Sequence, residues 1–223
     1  AQGSLLLLLD DDVVLEPACI AEMLAAIVSN KDVVGIVADF NNQQWPRPTL
    51  LWKAYLILVH GFSEVKVQGR VIGPLLRFGY FITPQTPAPM EWIGTCNSLI
   101  LKDAYDRCGG FSDFFLHRCT MNEDVDLGLK LARTGNLLFC PSARMAHHHA
   151  PGGRVSVAVA AEDDLYNRFL VIHRTQGRSK LSAFSLIFVY FTIETVSNLA
   201  GCLRRLKGNG LTARITGRTR ALW

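Results

Sequence analysis

The chain has 223 residues, of which 49% are hydrophobic and 19% charged, with a formal net charge of +4. That length supports one domain with room for an appendage, and the composition is that of a globular protein with a sizeable core. Six scattered cysteines (Cys19, Cys96, Cys108, Cys119, Cys140 and Cys202) with no CxxC pair read as reduced cytosolic thiols, not as a disulfide framework or a zinc site.

In chain order, Ser4 to Leu9 is a continuous apolar run that ends in Asp10-Asp11-Asp12. Such a run predicts a strand buried on both faces, in the middle of a mostly parallel sheet. Acids at its carboxyl end lie in the crevice where open α/β sheets bind ligands. Like charges repel there unless a divalent cation with oxygen ligands neutralises them. The competing reading is an acidic turn stabilised by the dipole of the next helix. That helix is predicted over Pro17 to Ser29, with Ile20, Leu24, Ile27 and Val28 as its apolar positions. Val33 to Val37 is a second strand. The stretch from Asp39 to Pro89 holds six of the nine prolines and two apolar patches, Leu50 to Val59 and Val71 to Phe81. It reads as an irregular functional loop or lid.

Trp92 to Leu101 is predicted as a strand, followed by a short helix from Lys102 to Cys108 that Gly109-Gly110 stops. Asn122 to Thr134 is an amphipathic helix with Asn122 as its cap. Leu137 to Cys140 and Ala143 to Ala146 are short strands, Val159 to Thr175 is a helix, and Ala183 to Leu206 is a last hydrophobic segment. Nine of the 23 Lys and Arg residues lie from Arg174 onward against one acid, Glu194, leaving a body with 14 basic and 18 acidic residues. A basic tail on a mildly acidic body implies an anionic partner. The apolar run inside the tail favours a membrane surface over nucleic acid. The segment is too interrupted for a confident span, and fits an interfacial helix or a helix packed on the domain.

Three further clusters carry chemistry. Glu123-Asp124-Val125-Asp126 is either an ordinary acidic first turn or a rigidly held general base. His147-His148-His149 follows a strand, so alternation sends His147 and His149 to one face, and one of the three is a candidate metal or phosphate ligand. Trp92-Ile93-Gly94-Thr95-Cys96-Asn97 places small residues where a ligand could approach the backbone, or is a plain loop-to-strand junction.

The order and spacing of these pieces resemble the inverting glycosyltransferases of family 2, which have the GT-A fold. The matching residues are Leu9-Asp10-Asp11-Asp12 with Pro17, Trp92-Ile93-Gly94-Thr95-Cys96 with Cys108-Gly109-Gly110-Phe111, Glu123-Asp124-Val125-Asp126-Leu127 with Arg133-Thr134-Gly135, and Pro141-Ser142-Ala143 leading to His147. The Glu-Asp-Val-Asp-Leu element, the later histidine and Tyr166-Asn167-Arg168 look most like the branch containing bacterial rhamnosyltransferases. Gly152-Gly153-Arg154 resembles the family's glycine-containing loop.

The resemblance implies an α/β fold with a GT-A-type, Rossmann-like mixed sheet and flanking helices. It implies a partial GT-A domain over 1–175 and a basic amphipathic helical tail over 176–223. Asp10, Asp11 and Asp12 would bind the nucleotide-sugar donor, and Asp12 with His147 would hold Mg²⁺ or Mn²⁺. Asp124 would be the catalytic base, with Glu123 orienting the acceptor or the base. Trp92, Gly94, Thr95 and Asp126 would meet the acceptor, a cell-surface glycan or lipid-linked molecule. The location implied is cytoplasmic, peripheral on the inner face of the cell membrane. The family's domain begins with a strand–helix–strand portion that holds the nucleoside. Here the acidic strand lies almost at residue 1, so that portion is expected to come from a missing segment or a partner chain. The chain alone is expected to bind nucleotide weakly. Two other classes remain: a non-catalytic carbohydrate-binding or scaffolding subunit, and a metal-dependent phosphohydrolase built on the acidic triad.

Overall fold

A computed structural model describes residues 2–43, 48–61, 73–77, 84–115, 121–148, 155–205 and 210–222, with backbone only at 203–205. Most of the Val71 to Phe81 patch, His149, Cys119 and Gly152-Gly153-Arg154 lie outside the described residues. The strands are β1 (Leu5–Leu9), β2 (Val13–Leu15), β3 (Val33–Phe40), β4 (Ala88–Met90), β5 (Asn97–Leu101) and β6 (Asn136–His147). The helices are α1 (Cys19–Val28), α2 (Leu50–His60), α3 (Lys102–Arg107), α4 (Glu123–Leu131), α5 (Val157–Leu170), α6 (Lys180–Arg205) and α7 (Leu211–Arg220). The stretch expected to be irregular therefore contains a helix, α2, whose first turn Thr49 caps by accepting from the Trp52 amide.

The sheet runs β1-β5-β3-β6-β2, with β4 pairing β6 off this path. It is mixed: β3 and β6 are parallel, and the other pairings are antiparallel. The strands buried on both faces are β3 and β5, not β1. Alternate residues of β3 enter two cores: Val34 and Val37 join the larger one, with Trp52, Leu127 and Leu165, while Val33 and Ile36 join the smaller one under α1. β1 lies at the sheet edge, half-buried, because only β5 pairs with it among the described strands. Its run of leucines reports two apolar faces (Leu6 and Leu8 toward one core, Leu5 and Leu7 toward the other), not a central position. On α1 the buried stripe is Cys19, Met23 and Ile27, leaving Ile20, Leu24 and Val28 exposed. Trp92 to Leu101 shortens to β5, since 91–96 is loop, and the two strands expected around Pro141 are one.

β6 carries the device that shapes the site. Its pairing with β3 jumps from Ala38↔Cys140 to Asp39↔Arg144, so Pro141, Ser142 and Ala143 form a bulge. Proline cannot donate to a ladder and is at home in such a bulge. Beyond it, β6 pairs with β2, His147 facing Val13. In a flat sheet β1 and β2 would lie about 19 Å apart, four strand spacings. The link from Leu9 to Val13 reaches at most about 14 Å. The second half of β6 must therefore bend back over the strand ends, which carries His147 to the Asp10–Asp12 turn.

The α6 helix packs by the stripe Ala183, Ile187, Tyr190 and Ser197, all buried. Glu194, on the same stripe, accepts from Trp52 Nε1 at 2.8 Å and pairs with Arg218 at 3.1 Å, tying α2, α6 and α7 together. The opposite side of α6 shows Leu181, Phe184, Phe188, Val189, Val196 and Leu199 to the outside. Lys180 to Cys202 is long and apolar enough to cross a membrane by length and composition.

Candidate functional site

The carboxyl ends of β1, β3 and β6 and the amino end of β5 share one side of the sheet, as the parallel and antiparallel registers require. The β1 end supplies Asp10 and Asp12, and the bent β6 supplies His147. His147 Nε2 lies 2.9 Å from Asp12 Oδ1 and 3.7 Å from Asp10 Oδ2. The rest of that histidine is clamped from the end of β3. Asn42 pairs both backbone groups of His147, its Nδ2 donating to the carbonyl and its Oδ1 accepting from the amide, each at 3.0 Å. Gln43 Nε2 sits 3.1 Å from His147 Nδ1, and the Phe40 ring lies 5.3 Å from the imidazole. With the Gln43 amide donating to Nδ1, the proton resides on Nε2 and is donated to Asp12. The His148 amide donates to the Asp12 carbonyl at 2.9 Å, which fixes the turn.

The facing wall is the 91–96 loop and the start of α4. Gly128 of α4 makes their contact possible: a Cβ there would lie 2.7 Å from Trp92 Cα and 2.8 Å from the Ile93 nitrogen. Only a glycine lets the helix lie directly on that backbone. The contact brings Cys96, Glu123 and Asp124 to the cleft. Burial raises the Glu123 pKa from 4.5 to about 7, with Asp124 and then Asp10 adding repulsion. Burial likewise raises Asp124 from 3.8 to about 6, against stabilising backbone amides and the distant Arg168 charge. One of those amides, on Val125, donates to Asp124 Oδ1 at 2.7 Å. The Cys96 thiol is pushed up to about 12 by burial first and by the Asp10, Asp124 and Asp12 charges after it. Asp10 thus lies close enough to act on Cys96 and on Glu123 together. A carboxylate tuned to between 6 and 7 is suited to taking a proton near neutral pH.

The α4 start is not capped as the sequence predicts. Asn122 stands in the left-handed region at φ 70 and makes no side-chain cap bond to the helix. Its Nδ2 instead donates to Asp164 Oδ1 at 3.1 Å. Asp164 also accepts from Arg168 at 2.6 Å and from the Tyr190 hydroxyl at 2.9 Å. Burial would raise the Asp164 pKa, but the Arg168 guanidinium and these hydrogen bonds hold it below the usual carboxylate range. Arg168 donates onward to the Leu75 carbonyl at 2.8 Å and stacks 4.1 Å from the centre of the Tyr190 ring. The buried ion pair is thus fully engaged at the carboxylate, and it anchors the start of α4 to α5 and α6.

Asp10, Asp12, His147, Glu123 and Asp124 therefore come together, and Thr95 sits half-buried next to Cys96. Asp11 is exposed on the β1–β2 turn and His148 is exposed beyond β6. Three residues expected to meet a ligand are buried in the free protein. Trp92 is 6% exposed and belongs to the core. Gly94 makes room for Asn97, whose Oδ1 would lie 2.4 Å from a Cβ there. Asp126 is fully buried, accepting from Ser112 at 2.7 Å and from Thr175, with Lys130 at 3.2 Å. The i, i+2 spacing from Asp124 turns it to the far side of the helix, into the protein.

Sequence reasoning missed Asn42 and Gln43, although the polar run Asn41-Asn42-Gln43 directly after an apolar strand was a usable signal. It also missed Cys96 as a cleft residue. One carboxylate Oδ of Asp10, the Cys96 Sγ and a His147 ring nitrogen lie within 4.8 Å of one another. A carboxylate, a thiol and an imidazole at one point fit a divalent cation. Compared with known proteins, the chain matches no protein-family model and no curated protein.

Proposed function

We propose that the chain carries the catalytic part of an inverting, metal-dependent glycosyltransferase of the family 2, GT-A type. In this reading it moves a sugar from a nucleotide donor to a glycan or lipid-linked acceptor at the cytoplasmic face of a membrane. The observation that supports it best is the proximity of two chemically different sets: Asp10, Asp12 and His147 at the strand ends, and Glu123, on which Asp10 acts, with Asp124 at the start of α4. Inversion requires the base and the leaving group on opposite sides of the sugar, which two separate sets allow. Asp12 and His147 would hold Mg²⁺ or Mn²⁺, with Asp10 beside them. Such a cation, when bound, stabilises the charge that develops on the departing diphosphate. Asp124 takes the acceptor's hydroxyl proton as that oxygen attacks the anomeric carbon. Glu123, carrying a proton near pH 7, donates a hydrogen bond that orients the acceptor. Asn42 and Gln43 keep His147 in one rotamer, and Asp164 keeps the start of α4 in place through Asn122. The α6 face of Leu181, Phe184 and Phe188 would rest on an anionic bilayer, with the tail's basic residues at its headgroups.

The test is sugar transfer by the full protein with Asp124→Asn. Loss of an aligned general base lowers turnover by roughly 10²–10⁴-fold. Transfer that persists within tenfold removes the base from Asp124.

A further inference from the structure

The strand-end cluster holds a sulfur ligand in addition to its carboxylates and imidazole. Oxygen-only sites suit Mg²⁺, whereas thiolate with imidazole selects Zn²⁺ and its probe Co²⁺ over Mn²⁺. The Cys96 Sγ, an Asp10 oxygen and a His147 ring nitrogen lie within 4.8 Å of one another. A tetrahedral zinc with bonds of about 2.0–2.3 Å needs its ligand atoms roughly 3.3–3.7 Å apart. The Asp10 to His147 Nε2 separation, 3.7 Å, is already of that size, and rotation of the half-exposed Asp10 and of the partly exposed Cys96 closes the remainder. Asp12, 2.9 Å from the same nitrogen, stands outside this triad as the present partner of the imidazole. The outer support is also present. His147 must be protonated on Nδ1 to ligate through Nε2, and the neighbouring Gln43 amide can present its oxygen to that proton after a flip.

We propose that Asp10, Cys96 and His147 form a three-ligand site for a thiophilic divalent cation, zinc being the fitting one, with the fourth position left to water or substrate. Binding forms a metal–sulfur bond, releases the Cys96 thiol proton to solvent, and moves the imidazole proton from Nε2 to Nδ1. This deepens the transferase reading, on which it rests only for the idea that the cleft uses a cation. It means that Zn²⁺ and Mn²⁺ compete for one place, and that zinc wins.

The test is a Co²⁺ titration of the full chain in a thiol-free reductant. A near-ultraviolet sulfur-to-cobalt charge-transfer band is expected, abolished by excess Zn²⁺ and by Cys96→Ser. It should survive in Cys108→Ser, Cys119→Ser and Cys202→Ser. Zinc affinity should fall at least tenfold in Cys96→Ser, the low end of the roughly 10–100-fold lost when even a supporting partner of a ligand is removed. Absence of the band, or its survival in Cys96→Ser, overturns the proposal. X-ray absorption at the zinc edge of the loaded wild-type protein needs no variant: one sulfur neighbour supports the site, and a shell of oxygen and nitrogen alone rejects it. Either negative result leaves the Asp124→Asn experiment standing, so the two ideas fail separately.

Discussion

Replacing Glu123 with Gln should stabilise the protein at alkaline pH and do little at acidic pH. Glu123 has its pKa raised from 4.5 to about 7, by burial first and by Asp124 next. The folded state therefore holds a proton that the unfolded chain has released, and stability falls as pH rises from about 4.5 to about 7. Each pH unit of that separation costs about 1.4 kcal/mol, which gives roughly 3 kcal/mol as an upper figure for Glu123 alone. Because Asp124 is also raised, by its own burial, and stays in the variant, the measurable gain from a single neutral substitution is about 1–3 kcal/mol. Urea unfolding at pH 5 and pH 8 reads it. The wild type should lose midpoint between the two, and Glu123→Gln should lose less, crossing above the wild type at pH 8. A variant less stable than the wild type at both pH values would refute the reasoning, because it would mean that the Glu123 carboxylate stabilises the fold.

Other outcomes follow from single contacts. Gly128→Ala puts a methyl against the Trp92 and Ile93 backbone, where nothing can rotate away, and should cost about 1–3 kcal/mol while moving the Glu123 and Asp124 wall; an unchanged melting temperature would contradict the contact. Asp126→Asn leaves Lys130, 15% exposed, without its countercharge, and should cost about 3 kcal/mol in a urea titration with unchanged slope; a midpoint equal to the wild type's would contradict it. Phe184→Glu with Phe188→Glu changes only the outward face of α6, and should abolish pelleting with anionic vesicles while leaving the circular dichroism spectrum intact. Pelleting equal to the wild type's would show that this face does not meet lipid. Deleting α6 is a poorer experiment, since Tyr190 and Ile187 belong to the core.

Much of the site could be read from the chain because its parts announce themselves locally. Three aspartates after five leucines mark a strand end, and an acidic first turn marks a helix start. What could not be read were features set by distant partners. β1 resembles a central strand because both of its faces are greasy, but position in a sheet is decided by hydrogen-bonding neighbours, which hydrophobicity does not encode. Asn122 has the residue type of a cap, yet Asp164, 42 residues on, takes its side chain away. Asp126 and Trp92 sit inside promising motifs and are spent on packing. The proline-rich stretch concealed α2 because a helix of mostly apolar residues has little polar face to display its period. By spacing alone Cys96 resembles the other five scattered thiols, because spacing says nothing about which strand ends meet.

The clamp on His147 has a kinetic consequence. Asn42 and His147 are 105 residues apart in the chain, and Asp10 and Asp12 lie further off still. Loops of that length close slowly, because their entropy is lost before any contact rewards it. The cleft is therefore completed only when residues 10 to 147 share one topology, and a nascent chain that has emerged as far as α4 has both carboxylate walls without the imidazole. Cation uptake at this cleft would then serve as a signal that the sheet has closed in the correct register, and a bound ion would favour the finished fold over every earlier arrangement.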